Sequence, residues 1–229
     1  MKWMENRKFL YDECLDFDAY TDTPGKIVCF HFIPRSGSNL LADLIRQVGR
    51  IGFPLEYFSP ANLGYMAERL PGLSEYDFTE LMRCRTSPNG VFSYKWNSNF
   101  ESLGCSTAVA RQFGDARHVF IDRLDLAAQA KSYWDALKTQ TWLNQKGRDV
   151  TCANFPATEV DIRWATDELE KVRRRTLDYL RRKEVEYVTI LAEDIFSSPR
   201  ETLLKIADFC GIDLAGVELP EQSQWTAPS

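Results

Sequence analysis

The sequence predicts an α/β fold of the P-loop-like kind, in three layers, with a central parallel sheet and helices on both of its faces. Three observations predict it. Short, nearly unbroken apolar runs alternate with longer amphipathic stretches, the pattern of strands buried on both faces and joined by helical crossovers. The first apolar run is followed by a polar Gly-Ser loop and then by helical spacing. The composition, 44% hydrophobic and 27% charged over 229 residues, is that of a foldable globular chain and excludes overall disorder.

The elements follow in order. Residues 1–25 read as an N-terminal extension closing on the turn signal Asp22-Thr23-Pro24-Gly25, and residues 26–229 as one α/β domain. Lys26–Ile33 (KIVCFHFI) is a buried strand, broken by Pro34–Ser38. Asn39–Val48 has helical spacing at Leu40, Leu41, Leu44, Ile45 and Val48, with Gly49 as its C-cap. Two helices are expected between Pro60 and Cys84, and Gly90–Lys95 is a second strand. A helix over Glu101–Phe113 leads to a third strand, Arg117–Asp122, and a long helix over Asp125–Trp142. A loop at Asn144–Thr158 precedes a long amphipathic helix, Glu159–Lys183. Tyr187–Leu191 is a fourth strand and Ser197–Cys210 a last helix.

Charge and composition narrow the function classes. The formal net charge is −5, so the chain presents no general polycation and nucleic acid is not an expected partner. The seven basic residues between Lys171 and Lys183 read as a solvated helix face. No apolar run reaches the roughly 18 residues of a membrane span, and no secretory h-region follows the N-terminus. Six cysteines without a CxxC read as free thiols of a reducing compartment, which points to the cytoplasm. Only two histidines are present, His31 and His118, and both read as core residues; no metal site is expected.

In α/β sheets ligands bind at the carboxyl ends of strands, beside helix N-termini. There the sequence places Pro34-Arg35-Ser36-Gly37-Ser38-Asn39. The glycine allows close backbone approach, the serines offer hydroxyls and the helix start offers unpaired N–H groups, together an anion cradle. It is neither GxxxxGK[ST] nor GxGxxG, which counts against ATP hydrolysis and dinucleotide chemistry. Glu56, in the apolar segment Pro54-Leu55-Glu56-Tyr57-Phe58, is a candidate general base, since apolar neighbours favour a raised carboxyl pKa. Lys95 closes the second strand, where an ammonium can neutralise developing charge.

Four blocks, Pro34–Leu41 (PRSGSNLL), Pro54–Phe58 (PLEYF), Pro88–Asn97 (PNGVFSYKWN) and Arg123–Trp142 (RLDLAAQAKSYWDALKTQTW), occur in this order. In them the chain resembles the bacterial carbohydrate sulfotransferase family typified by trehalose 2-sulfotransferase. The resemblance covers residues 26–142 and continues to 210 as element order alone. It departs from the family where Lys95, Trp96 and Asn97 stand in direct succession without a spacer. The resemblance implies transfer of a sulfuryl group from 3′-phosphoadenosine 5′-phosphosulfate (PAPS) to a hydroxyl of a carbohydrate or glycolipid acceptor, with PAP as product and no metal requirement. It implies that Arg35, Ser36, Gly37, Ser38 and Asn39 bind the 5′-phosphosulfate and that Arg123 and Ser132 bind the 3′-phosphate. Glu56 falls on the family's base, and Lys95 would stabilise the bridging oxygen. By analogy a homodimer is expected. The alternatives are a small-molecule kinase and a nucleotide-binding domain of the same fold without activity.

Overall fold

The computed structural model describes residues 8–99, 105–142 and 156–222. Four strands, β1 (Lys26–Phe32), β2 (Val91–Trp96), β3 (Arg117–Asp122) and β4 (Tyr187–Leu191), form an all-parallel sheet in the order β2-β1-β3-β4. The helices are α1 (Ser38–Val48), α2 (Pro60–Arg69), α3 (Thr79–Arg85), α4 (Ser106–Gln112), α5 (Leu126–Thr139), α6 (Glu159–Arg182), α7 (Ala192–Ser197) and α8 (Pro199–Cys210). The three-layer architecture read from the sequence is the one observed.

Strand alternation divides the core. Val28, Phe30, Phe32, Val119 and Ile121 face α1 and α8, against Leu41, Leu44, Ile45, Leu203 and Ile206. On the opposite face Phe120 packs on Ala130 of α5 and on Ala165, Leu169 and Val172 of α6. Toward the β2 edge, Cys29, Phe92, Tyr94 and Trp96 meet an aromatic cluster that includes Phe53, Tyr57, Phe58, Phe78 and Phe113. Leu10 and Tyr11 belong to that cluster, with Leu15 and Phe17 packed against it, so the N-terminal extension contributes side chains to the core. Its anchor is Arg85, 0% exposed. Arg85 donates to the carbonyls of Leu10 (3.3 Å), Asp12 (3.1 Å) and Leu15 (3.5 Å), and its Nε lies 2.9 Å from Asp16 Oδ1.

Several boundaries differ from the sequence reading. The last helix, expected over Ser197–Cys210, is α8 (Pro199–Cys210), and a short helix not expected from the sequence, α7, precedes it. Ser198, at φ −144° and ψ 61°, separates the two, because the residue before Pro199 is disfavoured in helical geometry. The helix expected to reach Trp142 ends at Thr139, with Gln140 left-handed at φ 56°. β2 runs one residue further than expected, to Trp96. Of the helix expected over Glu101–Phe113, Ser106–Gln112 is seen, and residues 101–104 lie outside the described residues. The same holds for most of the expected 144–158 loop. The five described cysteines, Cys14, Cys29, Cys84, Cys105 and Cys210, are free thiols as expected, and Cys152 is not among the described residues.

Candidate functional site

The site lies at the carboxyl ends of β1, β2 and β3. After β1 the chain turns through Ile33–Gly37 with two left-handed residues, Arg35 at φ 64° and Gly37 at φ 78°. Glycine adopts this conformation freely, but for arginine it costs on the order of 1–3 kcal/mol, and such strain clusters where a loop is shaped for a ligand. The Ser36 N–H closes the turn on the Ile33 carbonyl at 3.1 Å. Gly37 occupies the N-cap of α1, and no side chain caps the helix. The first bond of α1 runs from Leu41 N–H to the Gly37 carbonyl (3.0 Å), leaving the preceding N–H groups without intrahelical acceptors. Beneath the turn the Ser36 Oγ is buried and without a partner among the described residues. A helix N-terminus with open donors over an unsatisfied buried hydroxyl fits an anionic group.

The Arg35 side chain turns toward α5. Its Nε donates to Ser132 Oγ at 2.8 Å and its Nη1 to the Trp142 carbonyl at 2.9 Å. The sequence reading assigned Arg35 and Ser132 to opposite ends of a ligand, and the structure brings them into contact. Gln129 of α5 also donates to the Pro34 carbonyl at 2.8 Å, so α5 holds the loop at two points. Arg123, directly after β3, reaches the same loop: its Nη1 lies 3.5 Å from the Arg35 carbonyl, and its Nε is buried without a partner among the described residues. A buried guanidinium nitrogen left unsatisfied costs roughly 1–3 kcal/mol and fits an anionic oxygen. The carboxylate of Asp122, the residue before Arg123, is bound by Arg173 at 2.7 Å.

Glu56 and Lys95 meet on the other side of α1. Leu55 forms a parallel bridge to Tyr94, and its carbonyl accepts from Lys95 N–H at 2.8 Å, which lays Glu56 beside the end of β2. Asn62 of α2 secures the turn by donating to the Glu56 carbonyl at 2.8 Å. Alternation along Val91–Trp96 puts Lys95 on the α1 face, where its Nζ donates to Asn39 Oδ1 and lies 3.6 Å from Glu56 Oε1. The ammonium also lies 5.3 Å from the centre of the Phe32 ring. Lys95 is 1% exposed and Glu56 16%, so the pair sits inside the fold with the carboxylate nearer the opening. The carboxylate thus faces a cation as well as the apolar wall expected from its neighbours.

The two histidines stand apart from this site, on the face of β1 and β3 that packs under α6. His31 Nε2 and His118 Nδ1 are 2.8 Å apart in rings tilted by 23°, and Cys29 Sγ is 3.3 Å from His31 Nε2. The nitrogen–nitrogen distance is that of a shared proton. It is shorter than the roughly 3.3 Å separating two ligands that sit about 2.0–2.1 Å from a tetrahedral zinc. Burial, reinforced by His118, pushes the His31 pKa down to about 3, and burial pushes His118 down to about 4. Both are neutral core residues at ordinary pH.

Sequence reasoning missed two members of the neighbourhood. Arg173 was counted into a solvated basic face, and Glu193 of α7 accepts from the N–H groups of Leu124 (3.2 and 3.3 Å) and Asp125 (3.2 Å). No local signal marks either one, because each acts on a segment 50 or more residues away.

No family model matches the sequence, and no curated protein matches it. Among solved structures the chain is similar to the sulfotransferase domain of the olefin synthase of Synechococcus PCC 7002. The identity is 16% and the TM-score 0.51, over 86% of this chain and 77% of that one. It is also similar to the sulfotransferase domain of the curacin biosynthetic pathway. There the identity is 14% and the TM-score 0.53, over 84% of this chain and 76% of that one. At these identities the likeness establishes the fold: this chain has the fold of those sulfotransferase domains. Among the described residues no helix is long and apolar enough to cross a membrane.

Proposed function

We propose that this protein is a PAPS-dependent sulfotransferase that transfers a sulfuryl group to a hydroxyl of a carbohydrate or glycolipid acceptor. The observation that carries the reading is a convergence. An uncapped helix N-terminus, a buried Lys95–Glu56 pair and an Arg123 nitrogen without a partner all meet at the ends of three adjacent strands. The fold alone hosts many activities, so the argument rests on these groups and on the four sequence blocks that contain them.

The donor supplies an activated sulfuryl group. The loop N–H groups and hydroxyls of Ser36, Gly37, Ser38 and Asn39 would hold the 5′-phosphosulfate, and Arg123 with Ser132 the 3′-phosphate. Arg35 positions Ser132 and adds positive charge between the two. Glu56 takes the proton of the acceptor hydroxyl, whose oxygen forms the new bond to sulfur. The bond from sulfur to the 5′-phosphate oxygen breaks, and its electron pair stays on that phosphate. Lys95 stabilises the charge gathering there, and Asn39 fixes the Lys95 ammonium toward α1. With cationic side chains and helix N–H groups in this role, the reaction needs no divalent cation.

Calorimetry of PAP binding in EDTA tests the reading. Wild type should bind at micromolar Kd, and Arg123→Ala should weaken binding at least tenfold. Acceptor screening with labelled PAPS should then give turnover that Glu56→Gln lowers by about 10²-fold or more while PAP affinity holds. A folded wild type that fails to bind PAP overturns the proposal. Binding without turnover of any acceptor would assign the chain to nucleotide binding without catalysis.

A further inference from the structure

The segment leaving β3 is held from both sides by groups that touch no candidate ligand. On one side Asp122 Oδ1 gathers three donors: the Arg123 N–H at 2.9 Å, Arg173 Nε at 3.0 Å and Arg173 Nη2 at 2.7 Å. The same Nη2 donates to the Arg123 carbonyl at 3.0 Å. One guanidinium fork therefore fixes both the peptide entering Arg123 and the peptide leaving it. Both side chains are largely buried, at 22% and 19% exposure. On the other side the Glu193 carboxylate binds the N–H groups of Leu124 and Asp125. Burial pushes the Glu193 carboxyl up, but the N–H groups of Glu193, Asp125 and Leu124, helped by Arg123, outweigh it and hold the group below its ordinary range. Asp125 in turn caps α5 by accepting from the Ala128 N–H at 3.0 Å, which fixes where Ser132 falls along that helix.

Arg123 is thus a long, flexible side chain on a rigid root. Its Nε is buried and unpartnered, and its Nη1 points at the phosphosulfate loop. Such a group is selective only if its direction is fixed before the ligand arrives, since ordering it on binding would cost affinity.

We propose that Arg173, acting through Asp122 and the Arg123 peptides, is a positioning residue that aims Arg123 and sets the preference for a nucleotide carrying a 3′-phosphate over one without it. The proposal rests on the donor reading above. A lysine cannot replace Arg173 fully, because a single ammonium lacks the fork that bridges a carboxylate and a carbonyl.

The test compares PAP with 5′-AMP, which lacks the 3′-phosphate, by calorimetry in EDTA. Arg173→Met keeps the packed stem and removes the fork. It should weaken PAP about tenfold and leave AMP within twofold, with Arg173→Lys between the two. In an Arg123→Ala background the same change should have no further effect, because its route is gone. Asp122→Asn is the second variant and also tests sign. If charge alone governed the site, removing a carboxylate beside Arg123 would tighten PAP; positioning requires that it weaken PAP.

Equal weakening of PAP and AMP, no effect on either, or tighter PAP binding by folded Asp122→Asn overturns the positioning role and leaves the donor reading standing. A wild type that does not prefer PAP over AMP overturns the donor reading and the proposal with it. Thermal midpoints of each variant separate misfolding from altered selectivity.

Discussion

The buried histidine pair makes this protein's acid stability calculable. His31 and His118 are the chain's two histidines, so between pH 7 and pH 5 they are the principal side chains that change protonation in the unfolded state. In the folded state both are held neutral, His31 down to about 3 and His118 down to about 4. The unfolded chain therefore binds more protons than the folded one throughout this window, and stability falls as pH falls. The contribution is fully present above the unfolded value of about 6.5 and declines at up to about 1.4 kcal/mol per pH unit for each histidine, until its folded value is reached. At pH 5 that is a loss of about 2 kcal/mol per histidine and about 4 kcal/mol for the pair, a large share of a typical 5–15 kcal/mol. Urea unfolding at pH 7, 6 and 5 measures it directly. The pair bonds through His31 Nε2 and His118 Nδ1, so His31→Gln with His118→Asn places amides near the same two positions without the titration. That double variant should show a nearly flat profile over the window. A wild-type loss below 1 kcal/mol between pH 7 and pH 5, or the same slope in the double variant, would refute the reasoning.

Four further outcomes follow from the packing and the site. Gly52, at φ 76°, lies so close to β2 that an added Cβ would meet Ser93 Oγ at 2.5 Å and Ser93 N at 2.8 Å; Gly52→Ala should cost about 3 kcal/mol or more by denaturant unfolding. Gly37→Ala meets nothing closer than 3.6 Å, so it should cost about 1 kcal/mol, from its backbone angle alone. Asp16 pairs with both the fully buried Arg85 and Arg69; Asp16→Ala should cost about 3 kcal/mol, a fall of roughly 6–12 °C in thermal midpoint, and a fall under 3 °C would show that the carbonyls around Arg85 suffice. Glu193→Gln keeps an acceptor but loses the charge that binds the Leu124 and Asp125 N–H groups; PAP affinity should fall about threefold, and tighter binding would mean the carboxylate acts on Arg123 through its field alone.

The sequence exposed what depends on local pattern. β3 and β4 coincide with the predicted Arg117–Asp122 and Tyr187–Leu191, because unbroken apolar runs bounded by charged residues have few other readings. The Gly49 cap was visible too, since a helix end there calls for a left-handed residue that glycine supplies. The start of α8 near Pro199 was visible, but α7 was missed, because Ala192–Ser197 is too short to show a period. Alternation in Val-Phe-Ser-Tyr-Lys-Trp assigns Lys95 to the face of Val91 and Ser93. What it cannot show is that α1 covers that face and brings Asn39 to the ammonium.

The same division runs through the candidate site. The loop after β1, Glu56 and Lys95 were legible from their local segments, and Arg123 and Ser132 through the family resemblance, but the couplings were not, because they join residues far apart in the chain: Arg35 to Ser132, Lys95 to Glu56, Arg173 to Asp122. These couplings explain how a chain of net charge −5 keeps a cationic corner. Each nearby carboxylate is engaged, Glu56 with Lys95, Asp122 with Arg173 and Glu193 with backbone N–H groups. The acids thereby fix where the cations and their peptides point, while the Arg123 Nε is left without a partner among the described residues. A site built this way depends less on net charge than on the direction of a few buried donors. Neutralising Asp122 or Glu193 should therefore weaken anion binding, although either change makes the protein more positive.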